Sequence, residues 1–140
     1  MQRLRVILAL AVIILLTGAA HQRNAQWHTL LDLWQDCAAK SPNRSRTHNN
    51  LGNCYLLLER HFSAISEYER AVALEPGNLE AQYNLASAYD SVGMVNQAMR
   101  PYDVFCRLAP PPYGEQKNKA CLRLQELLAR ARQGKGPGGP

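Results

Sequence analysis

The sequence predicts an all-α fold, a short solenoid of antiparallel helix pairs with a C-terminal capping helix, preceded by an apolar N-terminal segment. Three observations carry that expectation. Residues of like size recur in columns every 34 residues. Within each unit small residues alternate with aromatic ones, as closely approaching helices require. Prolines stand at one fixed position per unit, where a helix must stop because a proline inside it loses a hydrogen bond and clashes with the preceding turn. With 140 residues there is room for one small domain and little for an enzyme with a separate substrate domain.

Residues 1–20 have the three-part form of an export signal: the basic start Met1-Gln2-Arg3-Leu4-Arg5, the apolar run Val6 to Leu16, and the small residues Thr17-Gly18-Ala19-Ala20. The run is short for a membrane span of roughly 17 to 25 residues. Two outcomes stay open, cleavage after Ala19 or Ala20 and retention as an inner-membrane anchor. With Arg3 and Arg5 held inside, either places the rest of the chain beyond the cytoplasm, in the periplasm or outside the cell.

Residues 21–133 form the repeat domain. One column is Pro42, Pro76 and Pro110; a second is Trp34, Tyr68 and Tyr102; a third is Leu31, Ile65 and Met99. Two complete units, 45–78 and 79–112, match further: Leu51 with Leu85, Gly52 with Ala86, Tyr55 with Tyr89, and Ala64 with Ala98. Residues 25–44 supply half a repeat. Residues 113–133 begin a further first helix but carry Arg123 in the tyrosine column, so they read as the polar cap that an open solenoid end needs. Glu75-Pro76-Gly77-Asn78 is a helix end followed by a turn, and Gly93 suits the break between the helices of the second unit. The Gly- and Pro-rich residues 134–140 read as a disordered tail.

These columns resemble the tetratricopeptide repeat, whose period is 34 residues with Leu-Gly-x-x-Tyr, then Ala-x-x-x-Phe, then Pro. The resemblance implies a stack of helix pairs whose first helices line an inner surface. A second resemblance covers Arg23-Asn24-Ala25-Gln26-Trp27, Leu33-Trp34-Gln35-Asp36 and Lys40-Ser41-Pro42-Asn43. It is similar to the junction after the last membrane helix in polytopic proteins related to O-mannosyltransferases, where repeats follow a membrane domain. No catalytic motif of that family is present, so no transferase activity carries over.

Candidate chemistry is thin. His21, His28, His48 and His61 lack the spacing of metal ligands, there is no Cys-x-x-Cys, and neither a phosphate loop nor a nucleophile elbow occurs. No catalytic residue, metal site or cofactor is assigned, and the chain is read as a non-enzyme. The net charge of +5 comes from scattered Lys and Arg without a block or interleaved aromatics, which argues against nucleic acid and for solvated helix faces.

Recognition by the inner surface remains. Asn50, Asn84 and Asn118 occupy position six of successive units, with Asn49 and Asn53 beside them. An amide donates and accepts at once, so such a row suits an extended peptide backbone; it resembles the asparagine ladder of O-GlcNAc transferase. The alternative is that these amides cap or tie neighbouring helices. The four cysteines suggest two disulfides, Cys37 with Cys54 and Cys106 with Cys121, because each pair is mirrored about an equivalent turn between units. Against that stands the role of a core cysteine as a small apolar side chain. The expected function is a peptide- or protein-binding scaffold of the cell envelope. A detached or accessory part of a membrane glycosyltransferase and an assembly factor for a secretion or pilus machine are the alternatives, and self-association and membrane attachment through the N-terminal segment stay open.

Overall fold

The computed structural model describes residues 2–134, with side chains 2–4, 6, 8–9 and 19–28 left outside the description. His21, His28, the cleavage point at Ala19 or Ala20 and the tail beyond Gly134 therefore lie outside the residues whose side chains are described. The order is α1 (Gln2–Lys40), α2 (Ser45–Leu57), α3 (His61–Leu74), α4 (Leu79–Ser91), α5 (Val95–Leu108), a 3-10 turn at Pro111–Tyr113, and α6 (Gly114–Arg132). No strand occurs among the described residues. Each helix packs on its neighbours in sequence, and α2 also touches α4. One layer is thus α2, α4 and α6; the other is the C-terminal part of α1 with α3 and α5.

Helix α1 is unbroken, so the apolar segment and the half repeat share one rod. Ile7, Leu10 and Val12 through Leu16 are each more than half exposed. Among the described residues no helix is long and apolar enough to cross a membrane.

The small-against-large columns form the core. Tyr68, Ala64, Ala71, Ala86, Ala98 and Phe105 are fully buried, with Tyr89 and Tyr102 nearly so. Gly52 is the tightest point: a β-carbon there would stand 2.5 Å from Tyr68 Cε1. Polar contacts repeat with the same register as the apolar ones. Buried His48 places Nε2 2.9 Å from the Pro42 carbonyl, and Gln82, one unit later, donates Nε2 to the Pro76 carbonyl at 2.9 Å. Nδ1 of His48 lies 2.7 Å from Glu67 Oε2, so an acceptor faces each ring nitrogen. Gln35 donates to the Tyr55 hydroxyl, and in the next unit the Tyr89 hydroxyl donates to Glu69.

The loops obey the expected punctuation. Asn78 caps α4, accepting from the Ala81 amide at 3.1 Å, and its Nδ2 donates to Ser45 Oγ, which donates to the Ala71 carbonyl. Both intra-unit turns close in the same way. Arg60 N bonds Tyr55 O and Glu59 N bonds Leu56 O; Met94 N bonds Tyr89 O and Gly93 N bonds Asp90 O. This helix-end motif requires a left-handed residue. Gly93 supplies it at φ +79°, but Glu59 must adopt φ +58°.

Cys106 and Cys121 are joined, tying α5 to α6 with their Cα atoms 5.6 Å apart. The pairing of Cys37 with Cys54 is corrected: both are free. Cys54 packs with Leu31 and Leu51, ringed by Leu30, Trp34 and Ala38, whereas half-buried Cys37 lies outside that cluster. A mirrored sequence position fixes height along neighbouring helices but not rotation about the axis, and Cys37 is turned to the edge of the contact.

Two substitutions test this packing. Gly52→Ala gains up to about 1 kcal/mol of helix propensity, but overpacking against a ring that cannot swing away costs about 1–3 kcal/mol. Urea melts are expected to show a net loss, and an unchanged midpoint would contradict the tight contact. Glu59→Gly is expected to stabilise by about 0.5–1 kcal/mol through relief of the left-handed backbone, while Gly93→Ala, with open space for its methyl, loses about 1 kcal/mol. Thermal melts of the two variants should move in opposite directions.

Candidate functional site

The inner layer carries a connected row of amides running from the core to the surface. Burial, with the Glu80 carboxylate adding to it, pushes the Tyr68 hydroxyl up, so it remains a proton donor. It donates to Asn53 Oδ1 at 2.7 Å. Asn84 Nδ2 donates to the same oxygen at 3.2 Å and to Asn49 Oδ1 at 3.0 Å. Asn49 Nδ2 in turn donates to Glu80 Oε1 at 3.0 Å. The orientation of every amide follows from the carboxylate, which can only accept. Asn49 must therefore present nitrogen to Glu80 and oxygen to Asn84, and Asn84 must present nitrogen to both partners.

This geometry revises the expected row. Asn49 is 1% exposed and serves the join between α2 and α4, so its amide is not available to a peptide. Asn84 spends both amide hydrogens on α2 and keeps its oxygen. Asn53 spends its oxygen and keeps its nitrogen. Asn50, half-buried on α2, forms no side-chain hydrogen bond among the described residues. Asn84, in the same position one unit later, is bonded back to α2. Asn118 is exposed on α6 and lies apart from the bonded row.

Beside the row is a pocket of about 280 Å³ lined by Asn53, Glu80, Tyr83, Asn84, Phe105, Tyr113 and Gln116. Glu80 and Tyr83 are not picked out by column matching, because they replace Arg46 and Asn49 of the preceding unit, and Tyr113, in the 3-10 turn, stands in the column of Leu79; Gln116 repeats Gln82 at the 34-residue step. A larger cleft, about 900 Å³, opens on the outer layer between α3 and α5 over Leu85 and Tyr89, with Pro101, inside the continuous α5, in its wall. Its walls, among them Val72, Ala73 and Val104, are mainly apolar.

The last helix is fastened at the far end of the row. Arg123 forks onto Asp90, with Nε to Oδ2 at 2.7 Å and Nη2 to Oδ1 at 2.8 Å, and its Nη1 reaches Glu126 at 2.7 Å. The expected polar cap is therefore a clamp. Burial, then the Asp90 carboxylate, pushes the neighbouring Tyr102 hydroxyl up to about 12, so it stays neutral beside the pair. Among the described residues no group of three or more His, Cys, Asp or Glu is arranged to hold a metal.

The comparisons with known proteins agree with this architecture. Residues 45–78 match the family model of the tetratricopeptide repeat. No curated protein matches the chain. Among solved structures, the Yersinia enterocolitica type III secretion chaperone SycD in complex with a peptide of the translocator YopD is 14% identical. The similarity covers 78% of this chain and 85% of that one, at a TM-score of 0.69. PcrH in complex with the chaperone binding region of PopD is 17% identical, with 81% and 87% of the chains covered and a TM-score of 0.67. The first repeat domain of Spaghetti, bound to the HSP90 peptide SRMEEVD, is 17% identical over 83% and 88% of the chains at a TM-score of 0.65. The chain carries a tetratricopeptide repeat at residues 45–78 and, around it, the all-α fold of tetratricopeptide-repeat proteins.

Proposed function

We propose that this chain is a non-enzymatic scaffold outside the cytoplasm that holds an extended peptide, or a segment of an envelope protein, along the inner face of its helices. The observation that carries the reading is the unspent hydrogen-bonding capacity of Asn53 Nδ2 and Asn84 Oδ1 beside a half-open pocket. A donor and an acceptor fixed in place by their other bonds suit a peptide group, which offers one of each. Pre-organisation by Tyr68 and Asn49 lowers the entropy lost on binding. Three proteins of like fold, SycD, PcrH and Spaghetti, were solved with a peptide or a binding segment of another protein, which supports the same use here. Export rests on the basic, apolar and small-residue order of residues 1–20 and is supported by the joined Cys106 and Cys121, a bond that persists in oxidising compartments.

A second reading, an assembly factor for a secretion machine, is favoured by the likeness to the type III secretion chaperone SycD. It uses the same face.

A photo-crosslinking residue at exposed Ser87, on the inner stripe of α4, is expected to capture a partner in intact cells, whereas one at exposed Ser66 on α3 is not. Equal capture at both positions would contradict the inner-face assignment. Scaffold and groove amides separate by stability. Asn49→Ala removes a fully buried side chain and its two hydrogen bonds, to Glu80 and Asn84, and is expected to cost about 1–3 kcal/mol. Asn50→Ala, which breaks no internal bond, should change stability by less than about 0.5 kcal/mol. A reporter active only outside the cytoplasm, fused after Gln133, tests export; activity confined to the cytoplasm would refute it.

A further inference from the structure

We infer that the pocket beside the amide row accepts a cationic side chain, lysine or arginine, from the bound segment; this rests on the peptide-scaffold reading and adds a specificity to it. The wall of the pocket is an aromatic cluster. Tyr83 and Phe105 have ring centroids 5.1 Å apart at 48°, and Phe105 and Tyr113 are 5.6 Å apart at 85°. Phe105 is fully buried and holds the two tyrosines at fixed angles, with both half-exposed toward the opening. Ring faces are electronegative and attract a cation brought within about 6 Å.

Opposite the rings stand acceptors. Glu80 uses Oε1 to take the Asn49 hydrogen, and its Oε2 makes no hydrogen bond or ion pair among the described residues. Asn84 keeps its oxygen. The nearest lysines on α6 are engaged elsewhere: Lys117 donates to the Ala109 carbonyl at 2.7 Å and Lys119 pairs with Glu115 at 2.7 Å. Among the described residues no lysine or arginine pairs with the carboxylate. An acidic side chain entering here would meet Glu80 as a like charge. An apolar one would strip water from Glu80 and the Asn84 oxygen without replacing its hydrogen bonds. A long side chain with an apolar stem and a cationic tip satisfies both walls, its stem along the rings and its tip at the acceptors. At about 280 Å³ the pocket holds one such side chain.

The test uses the full chain and phage-displayed random dodecapeptides, the best binders being synthesised with a fluorophore for anisotropy. Each Lys is replaced by norleucine and each Arg by citrulline. One cation per binder is expected to be essential, its loss weakening binding to the wild type about tenfold, the size of a partly desolvated cation–π and carboxylate contact. Glu80→Gln retains an acceptor for Asn49 and so the scaffold. It should bind the parent peptide about tenfold more weakly and respond little to the further replacement. Tyr113→Leu, which leaves the amide row intact, should give the same pattern. Groove binders whose Lys and Arg are dispensable, or an equal loss in wild type and Glu80→Gln, would overturn the cation pocket while leaving the scaffold reading in place. A library that yields no binder blocked by Ser87→Trp would overturn the scaffold reading, and this inference with it.

Discussion

Tyr68 lies so close to Gly52 that no side chain fits between them, and its hydroxyl continues past that contact to Asn53. The rest of the inner face depends on this placement. With no β-carbon at position 52, α2 and α3 approach until the ring is fully buried. The hydroxyl then fixes Asn53, whose oxygen receives Asn84 and so sets α4 against α2. From there the order passes through Asn49 to Glu80, at the mouth of the pocket. Packing in the core and polarity at the surface are thus one connected structure. Loosening the first would misorient the second, because each amide is aimed by the partner before it.

Repetition explains how a chain with few helices sustains such order. The same geometric need recurs each unit, and different residues meet it. His48 and Gln82 both bind the carbonyl of the proline in the preceding loop; Tyr55 and Tyr89 both meet a polar residue on the preceding second helix; Glu59 and Gly93 both close a left-handed turn. The substitutions are not equivalent in energy. Glycine takes the left-handed conformation freely, while glutamate is strained there. Gln82 meets its carbonyl through one amide hydrogen, whereas the ring of His48 lies between a carbonyl and the Glu67 carboxylate.

The apolar columns were legible in the sequence because identity marks them: Gly52 with Ala86, Tyr68 with Tyr102, and the prolines that end each unit all stand where the period puts them. The helix order and the role of Asn78 and Gly93 follow from the same pattern. Polar partnerships were less legible, since they conserve a contact rather than a residue type, and Glu80 and Tyr83 escaped notice because their column changes from Arg46 and Asn49. The asparagine row was found but its roles were mixed. At position six Asn84 is bonded back to α2, while the identical Asn50 forms no side-chain hydrogen bond among the described residues. Mirrored sequence positions proved insufficient for the cysteines, since Cys106 and Cys121 are joined while Cys37 and Cys54 are free.

The two ends of the solenoid are built differently. In the interior the tyrosine column buries its ring between successive units, as Tyr89 does. At α6 the same column carries Arg123 in place of a ring. Arginine suits that place, because its stem covers the last turn and its guanidinium reaches back to Asp90, which also adjoins the neutral Tyr102. The disulfide to α5 and the contact of Tyr113 on Phe105 hold the same helix from two other sides. Toward the N-terminal end, Asn50 forms no side-chain hydrogen bond among the described residues, and Ile13 to Leu16 of α1 are exposed. An unpaired amide and an uncovered apolar stretch at one end, with a clamped and cross-linked helix at the other, give the molecule a direction. Among the described residues the amide row leaves one donor and one acceptor on the inner face while α1 leaves its apolar stretch exposed, so polar and apolar surface are segregated along the chain.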